Sequence, residues 1–249
     1  MIDTHAHITS EFYSNIDSVV NELKENNILC VINCADDIKS SHEVIFLSKK
    51  YNTFLYPSIG VHPQNIDLAT LGDLNKIESL INSEKIIAIG EIGLDYNYTN
   101  ENKEKQKDFF IKQIDIANKY KLPIVVHTRD SIQDCLDILK EHKSKGIIHC
   151  FTGSLEMAKE FINLGFYLGI GGVLTFKNSN LYKVIENVSL ENIVLETDSP
   201  FLSPEPFRGQ TNTPKNVFLV AKKIAEIKSI KVEEVIEITT NNSHKIFDI

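Results

Sequence analysis

Eight short β-branched runs, each followed by a longer stretch with apolar residues at helical spacing, constrain this chain more than any other feature. Alternating β and α segments bury themselves as parallel strands covered by helices. The runs cover residues 1–7, 29–35, 54–62, 86–93, 123–129, 146–151, 166–174 and 193–198. Helical spacing marks residues 16–25, 41–49, 74–81, 104–119, 131–142, 155–164 and 181–188, and a final helical region covers 216–228 and 232–247. Spread over eight units, 249 residues leave about 31 for each, the size of one βαβ repeat. A closed eight-stranded parallel barrel typically takes roughly 250 residues. The expected fold is α/β, a (β/α)8 TIM-type barrel, with residues 1–249 as a single domain. The alternative, a doubly wound open sheet, usually carries a glycine-rich turn after its first strand, and that position here holds His5-Ala6-His7. Residues 199–214 hold four of the seven prolines and read as a long functional loop.

Composition narrows the partners. With 26 basic against 34 acidic residues the formal charge is −8, so no global basic field exists to coat a long duplex. The opening Met1-Ile2-Asp3-Thr4-His5 has no basic region leading into an apolar stretch, and nowhere do about 18 consecutive apolar residues occur. The expectation is a cytoplasmic chain with no membrane partner and no evident stable protein partner. Cys30, Cys34, Cys135 and Cys150 lack the CxxC spacing of a structural zinc site and read as reduced thiols. Cys30 and Cys34 read as buried small hydrophobes. For Cys150, beside His149, a nucleophilic role is the lesser alternative.

The chemistry concentrates at the strand ends. Because strand side chains alternate faces, His5 and His7 project to one side, about 6.5 to 7 Å apart along the strand. Glu91, His127, His149 and Asp198 fall near the ends of the fourth, fifth, sixth and eighth runs. In a βα barrel those ends converge on one mouth, so the six residues are expected to face one another. Four imidazoles and two carboxylates exceed the four ligands of a closed structural zinc site and suit two divalent cations roughly 3.5 to 4 Å apart. Glu91, standing between the two groups of ligands around the barrel, is the natural bridge. The bland alternative for such a carboxylate is to cap the next helix. His42, His142 and His244 lie among polar neighbours in helices and read as surface residues. His62, in Gly60-Val61-His62-Pro63, is expected to point into the mouth with no partner forcing it onto a metal, as a substrate contact. Arg129 and Arg208 are candidates for phosphate contact through the guanidinium fork, against pairing with Asp130 or Glu205.

Gly90-Glu91-Ile92-Gly93-Leu94-Asp95-Tyr96, Val126-His127-Thr128-Arg129-Asp130, His149-Cys150-Phe151-Thr152-Gly153 and Glu196-Thr197-Asp198-Ser199-Pro200-Phe201-Leu202 resemble the motifs of the TatD-like metal-dependent deoxyribonucleases, among the amidohydrolase-like metal-dependent hydrolases. The opening HxH, Gly60-Val61-His62-Pro63, and Arg208-Gly209 with Asn212 and Pro214 match as well, so the resemblance spans nearly the whole chain. It implies two divalent cations (zinc, manganese, magnesium or cobalt) and hydrolysis of DNA phosphodiesters, often 3′-to-5′ on single-stranded ends. It also implies that His5 and His7 bind one ion with Glu91 and Asp198, and that Glu91, His127 and His149 bind the second. Where the family commonly has Leu-Asp after HxH this chain has Ile8-Thr9, a departure that concerns the first loop and not the ligand set.

The mechanism expected from this reading has Asp198 accept a proton from water activated by the cations, and His62 or a second water protonate the leaving oxygen. Two dications against Glu91 and Asp198 leave a local charge of about +2, which favours a strand end over a long duplex footprint. The alternative within enzymes is an amide, ester or lactone hydrolase using the same binuclear site. The alternative outside enzymes is a metal-stabilised binding protein.

Overall fold

The computed structural model describes residues 1–97, 99 and 101–249. In chain order the elements are β1 (Ile2–Ala6), α1 (Ile16–Glu25), β2 (Cys30–Cys34), α2 (Ile38–Lys50), β3 (Leu55–Ile59), α3 (Leu71–Ser83), β4 (Ala88–Asp95), α4 (Lys103–Tyr120), β5 (Ile124–Arg129), α5 (Ile132–Glu141), β6 (Gly146–Ile148), α6 (Leu155–Asn163), β7 (Tyr167–Ile170), α7 (Leu181–Asn187), β8 (Ile193–Leu195), α8 (Val217–Lys228) and α9 (Val232–Phe247). The strands form one eight-stranded sheet in sequential order, and every neighbouring pair is parallel. The ring closes from β1 to the chain following β8: Ala6 bridges Ser199, Asp198 N–H donates to His5 O at 2.9 Å, and His7 N–H donates to Ser199 O at 2.7 Å. This is the (β/α)8 barrel that the repeat arithmetic anticipates.

Both faces of a parallel barrel strand are buried, which is why these runs are nearly continuous in β-branched residues. The outward residues Val31, Leu55, Ile89, Ile124, Val126, Ile148, Leu168 and Ile193 pack with the helices. A second, interior layer is built from Ile32, Cys34, Ala88, Val125, Ile147 and Val194, and Ile246 and Phe247 from the end of α9 pack onto it. With one end of the barrel filled, polar side chains can be gathered only towards the other, where the strands end.

Several sequence-based boundaries move. The third, sixth, seventh and eighth runs extend past their strands, which end at Ile59, Ile148, Ile170 and Leu195. At the mouth the chain leaves the ladder and its backbone groups find other partners: Cys150 N–H donates to Glu196 Oε1 at 2.7 Å, and residues 172–175 form a 3-10 turn. α2 and α3 begin three residues earlier than the apolar spacing suggests, because Asp37 with Ser40 and Thr70 with Asp73 build capping boxes upstream of the first apolar residue. The loop after His7 is pinned through the buried Asn33, which accepts from Ile8 N–H at 2.7 Å and donates to Ile8 O at 2.8 Å. Among the described residues no helix is long and apolar enough to cross a membrane.

Gly146 opens β6 where a Cβ would meet Ile124 O at 1.9 Å and Ile124 N at 2.7 Å, so any side chain there pushes β5 and β6 apart. Gly146→Ala is expected to cost about 1–3 kcal/mol or more, read as a lowered urea midpoint; an unchanged midpoint would contradict this account of the β5–β6 contact.

Candidate metal centre

Strand alternation decides which side chains reach the interior of the barrel. Val125 on β5 belongs to the interior layer while Ile124 and Val126 face the helices, so His127 two residues on shares the interior side. The same parity leads from Ile147 to His149, from Val194 to Glu196 and Asp198, and from Ile32 and Cys34 to Asp36. β4 departs from it, since Ala88 lies in the interior layer three residues before Glu91. The β4–β5 register shifts between Ile89 and Ile92, and this irregularity turns Glu91 to the side of its partners. Glu91 does not cap the following helix; Asn102 occupies the N-cap of α4.

The six candidate ligands come together at the mouth, where all but the fully buried His5 line a cavity of about 1060 Å³. His5 Nε2 lies 3.0 Å from His7 Nε2, 3.3 Å from Glu91 Oε2 and 3.6 Å from Asp198 Oδ1; His7 Nε2 lies 3.5 Å from Glu91 Oε2 and 3.6 Å from Asp198 Oδ1. For a tetrahedral ion with ligands at about 2.0–2.1 Å, ligand atoms sit about 3.3–3.4 Å apart. The five separations among these donor atoms are therefore close to cation size, and His5, His7 and Asp198 form one group that could hold an ion. The other Glu91 oxygen, Oε1, faces His127 Nδ1 at 2.6 Å, His62 Nε2 at 3.5 Å and His149 Nε2 at 3.7 Å. One carboxylate thus addresses two imidazole groups with different oxygens, and the second group is the looser.

A further ring of acceptors backs the imidazoles. His7 Nδ1 is 3.1 Å from Cys34 O and 3.5 Å from Asp36 Oδ1, His127 Nε2 is 3.2 Å from Asp95 Oδ2, and His149 Nδ1 is 3.1 Å from Glu196 Oε1. Such partners orient imidazole ligands and raise their basicity. Gly169 leaves room for Glu196, since a Cβ there would meet Glu196 Oε2 at 2.2 Å. Asp36, Asp95 and Glu196 have no assigned role in the sequence reading. Asp36 and Glu196 were accessible to the parity argument, lying two residues beyond Cys34 and two before Asp198; Asp95 sits on β4 beyond the register shift, where simple alternation fails.

Burial opposes every charge here, and the partners decide the outcome. For Glu91 burial alone would raise the pKa, yet His62, His5, His149 and His127 hold it well below the usual range. Burial likewise pulls the imidazoles down, but Asp36, Asp198 and Glu91 raise His7 to about 9, Glu91 and Asp95 raise His127 to about 9, and Glu196 and Glu91 raise His149 to about 10. His5 moves the other way, lowered by burial and by His149. Asp95 falls to about 2 against the effect of burial, through its bonds to His127 and Gln64.

The remaining candidates divide. His62 is buried on the cavity wall and, contrary to the sequence reading, does have a partner at the metal donors in Glu91. Its Nδ1 accepts from Gln64 N–H at 3.1 Å, which leaves the imidazole proton on Nε2, the nitrogen facing Glu91. Arg129 lines the cavity. Arg208 is exposed outside the residues lining it, with its guanidinium 4.3 Å from the centre of the Phe176 ring. Cys150 lines the cavity, but burial and then Asp198, Glu196 and Glu91 push its thiol well above the ordinary range, which counts against a nucleophile. The cysteines are unpaired. His42 and His244 are exposed and His142 half-buried, in line with surface roles.

The donor set fits divalent cations: nitrogen and oxygen atoms without a thiolate, converging within coordination range in a buried pocket. Because His7, His127 and His149 carry raised pKa values in the metal-free chain, their stabilising contribution is full below about 6.5 and is lost as pH rises through about 9 to 10. A cation must displace the same protons. Its apparent affinity, measured by chelator competition, is therefore expected to keep climbing between pH 7 and 9, with protons released on addition at pH 7. An affinity that levels off by about pH 7.5, as ordinary imidazoles require, would contradict this.

Comparison with known proteins places these features in one family. A family model described as TatD related DNase matches residues 2–248. An uncharacterized metal-dependent hydrolase, YabD, of Bacillus subtilis is 39% identical over 254 residues, covering 100% of this chain and 99% of its own. Human deoxyribonuclease TATDN3 is 33% identical, covering 99% and 94%. Among solved structures, YJJV, a TatD homolog from Escherichia coli, superimposes with a TM-score of 0.94 at 27% identity, covering 100% and 98%.

Proposed function

The chain belongs to the TatD-related family of metal-dependent hydrolases, and from that premise we propose that it hydrolyses DNA phosphodiesters with two divalent cations, acting 3′-to-5′ on single-stranded ends. The observation that carries this reading is the divided carboxylate of Glu91, with one oxygen 3.3 Å from His5 and the other 2.6 Å from His127. In this reading His5, His7 and Asp198 would hold one ion, His127 and His149 the other, and Glu91 would serve both. Bound there, the cations would make hydroxide available near neutral pH and offset the charge gained by the phosphoryl oxygens.

The protein's own groups supply the proton transfers. Asp198 lines the cavity and is ionised: burial opposes this, but His7 and His149 hold its pKa down. It accepts the proton of the attacking water. A water held by the Nε2–H of His62 gives a proton to the leaving oxygen, and the proton taken up by Asp198 makes good that loss. Arg129, on the cavity wall, is a candidate to hold a neighbouring phosphate; the exposed position of Arg208 favours only a more distal phosphate contact. We also take residues 1–249 as one hydrolase unit and read its location as cytoplasmic, in keeping with the unpaired thiols.

The charge balance differs from the sequence reading in a way that bears on substrate. Asp36, Asp95 and Glu196 join Glu91 and Asp198, so five carboxylates face the four positive charges of two dications, and the local formal charge is −1 rather than about +2. Long-range attraction is weak, and affinity rests on direct contact with one or two phosphates. The logarithm of affinity for a short single strand is expected to fall with log salt at a slope near −1.4, roughly −0.7 for each of two phosphates; a slope of about −4 or steeper would contradict end capture.

His62→Ala tests this proton delivery. The expected loss in kcat is about 10²–10⁴-fold on a DNA phosphodiester and far smaller on a p-nitrophenyl ester, whose leaving group needs no proton; equal losses on both would rule the role out. A wild type that turns over lactones or acyl amides and leaves single-stranded DNA intact would favour the acyl-hydrolase alternative.

A further inference from the structure

Phe201 stands on the rim of the cavity, 47% exposed, with its ring centre 6.0 Å from that of His7 and 5.4 Å from that of Phe12 in an edge-to-face arrangement. Exposed apolar residues scattered singly need no explanation. Here, however, Phe201, Leu202 and Phe207 are three of the nine large apolar side chains exposed among the described residues, and all three come from the loop 199–214. Phe201 and Leu202 open onto the cavity that holds the metal donors.

The backbone of this ring is fixed to the centre itself. Phe201 N–H donates to Asp198 O at 2.8 Å, and the buried Asn212 donates to both Phe201 O at 2.7 Å and Thr197 O at 2.9 Å. The turn that carries Asp198 thus also sets Phe201, and Phe12 braces it from the β1 side. Elsewhere the rim is predominantly acidic, with Glu11, Asp36, Asp37 and Glu43 against Lys39 and Arg129. A polyanion gains little there from its phosphates, whereas a nucleobase gains from an aromatic face whatever its sequence. The separation of the Phe201 and His7 rings is within the reach of one nucleotide from phosphate to base.

We propose that Phe201, braced by Phe12, is a stacking platform for the nucleobase of the nucleotide whose phosphodiester occupies the metal donors. This rests on the nuclease reading and adds the subsite that gives a single-stranded end its affinity.

The test uses the metal-loaded protein and a single-stranded DNA trinucleotide with 2-aminopurine at its 3′ end and a phosphorothioate at the terminal linkage to slow hydrolysis. Binding is expected to quench the fluorescence. Affinity is expected to exceed that of the same strand ending in a tetrahydrofuran abasic residue, measured by competition, by roughly five- to a hundredfold. Phe201→Leu and Phe12→Leu should each move that ratio towards one, and Phe201→Tyr should keep it. A ratio near one in the wild type, or one that both leucine variants leave unchanged, overturns the platform. Hydrolysis of the unmodified trinucleotide is read separately: a wild type that has the full base preference but cleaves no DNA sinks the nuclease reading while the stack stands.

Discussion

The structure depends on keeping one buried carboxylate ionised. Glu91 is 3% exposed and lies within 3.7 Å of five imidazoles. A buried ionised group is costly unless it is paired and hydrogen-bonded. The imidazoles, and in the loaded protein the cations, are that compensation. The reverse dependence also holds, because His127 and His149 keep their raised pKa values through Glu91 together with Asp95 and Glu196. Neither half of this assembly is tolerable alone, which ties cation binding to the arrangement of the whole barrel mouth.

The barrel meets this demand with regular strands and two irregular ones. Alternation brings His127, His149 and Asp198 to the interior, while register shifts lie beside His5 on β1 and beside Glu91 on β4. Below them the interior layer from Ile32 to Val194, filled at its base by Ile246 and Phe247, supplies a rigid floor. Packing of this kind holds ligand atoms near their working distances before any ion arrives, which is what preorganisation requires.

Much of this was legible in the sequence for an identifiable reason. The eight β-branched runs and their spacing report burial on both faces, and metal-capable residues at the run ends report the mouth. What was not legible involves groups whose partner comes from another strand. Asp95 and Glu196 look like ordinary motif carboxylates until His127 and His149 are seen beside them, and His62 acquires Glu91 only from the neighbouring strand β4. Strand ends were overextended for a related reason: past Ile148 and Leu195 the chain is still apolar and β-branched in part, but its backbone bonds go to a side chain or across the closure. Arg208 reads as a phosphate contact from its motif, and only the folded chain sets it over Phe176.

The most direct test of the central claim is the anomalous scattering of crystals of the manganese-loaded protein. Two peaks are expected in one pocket, one beside His5 and His7 and the other beside His127, with a different oxygen of Glu91 directed at each. A single peak, or two peaks with Glu91 touching neither or only one of them, would contradict the account.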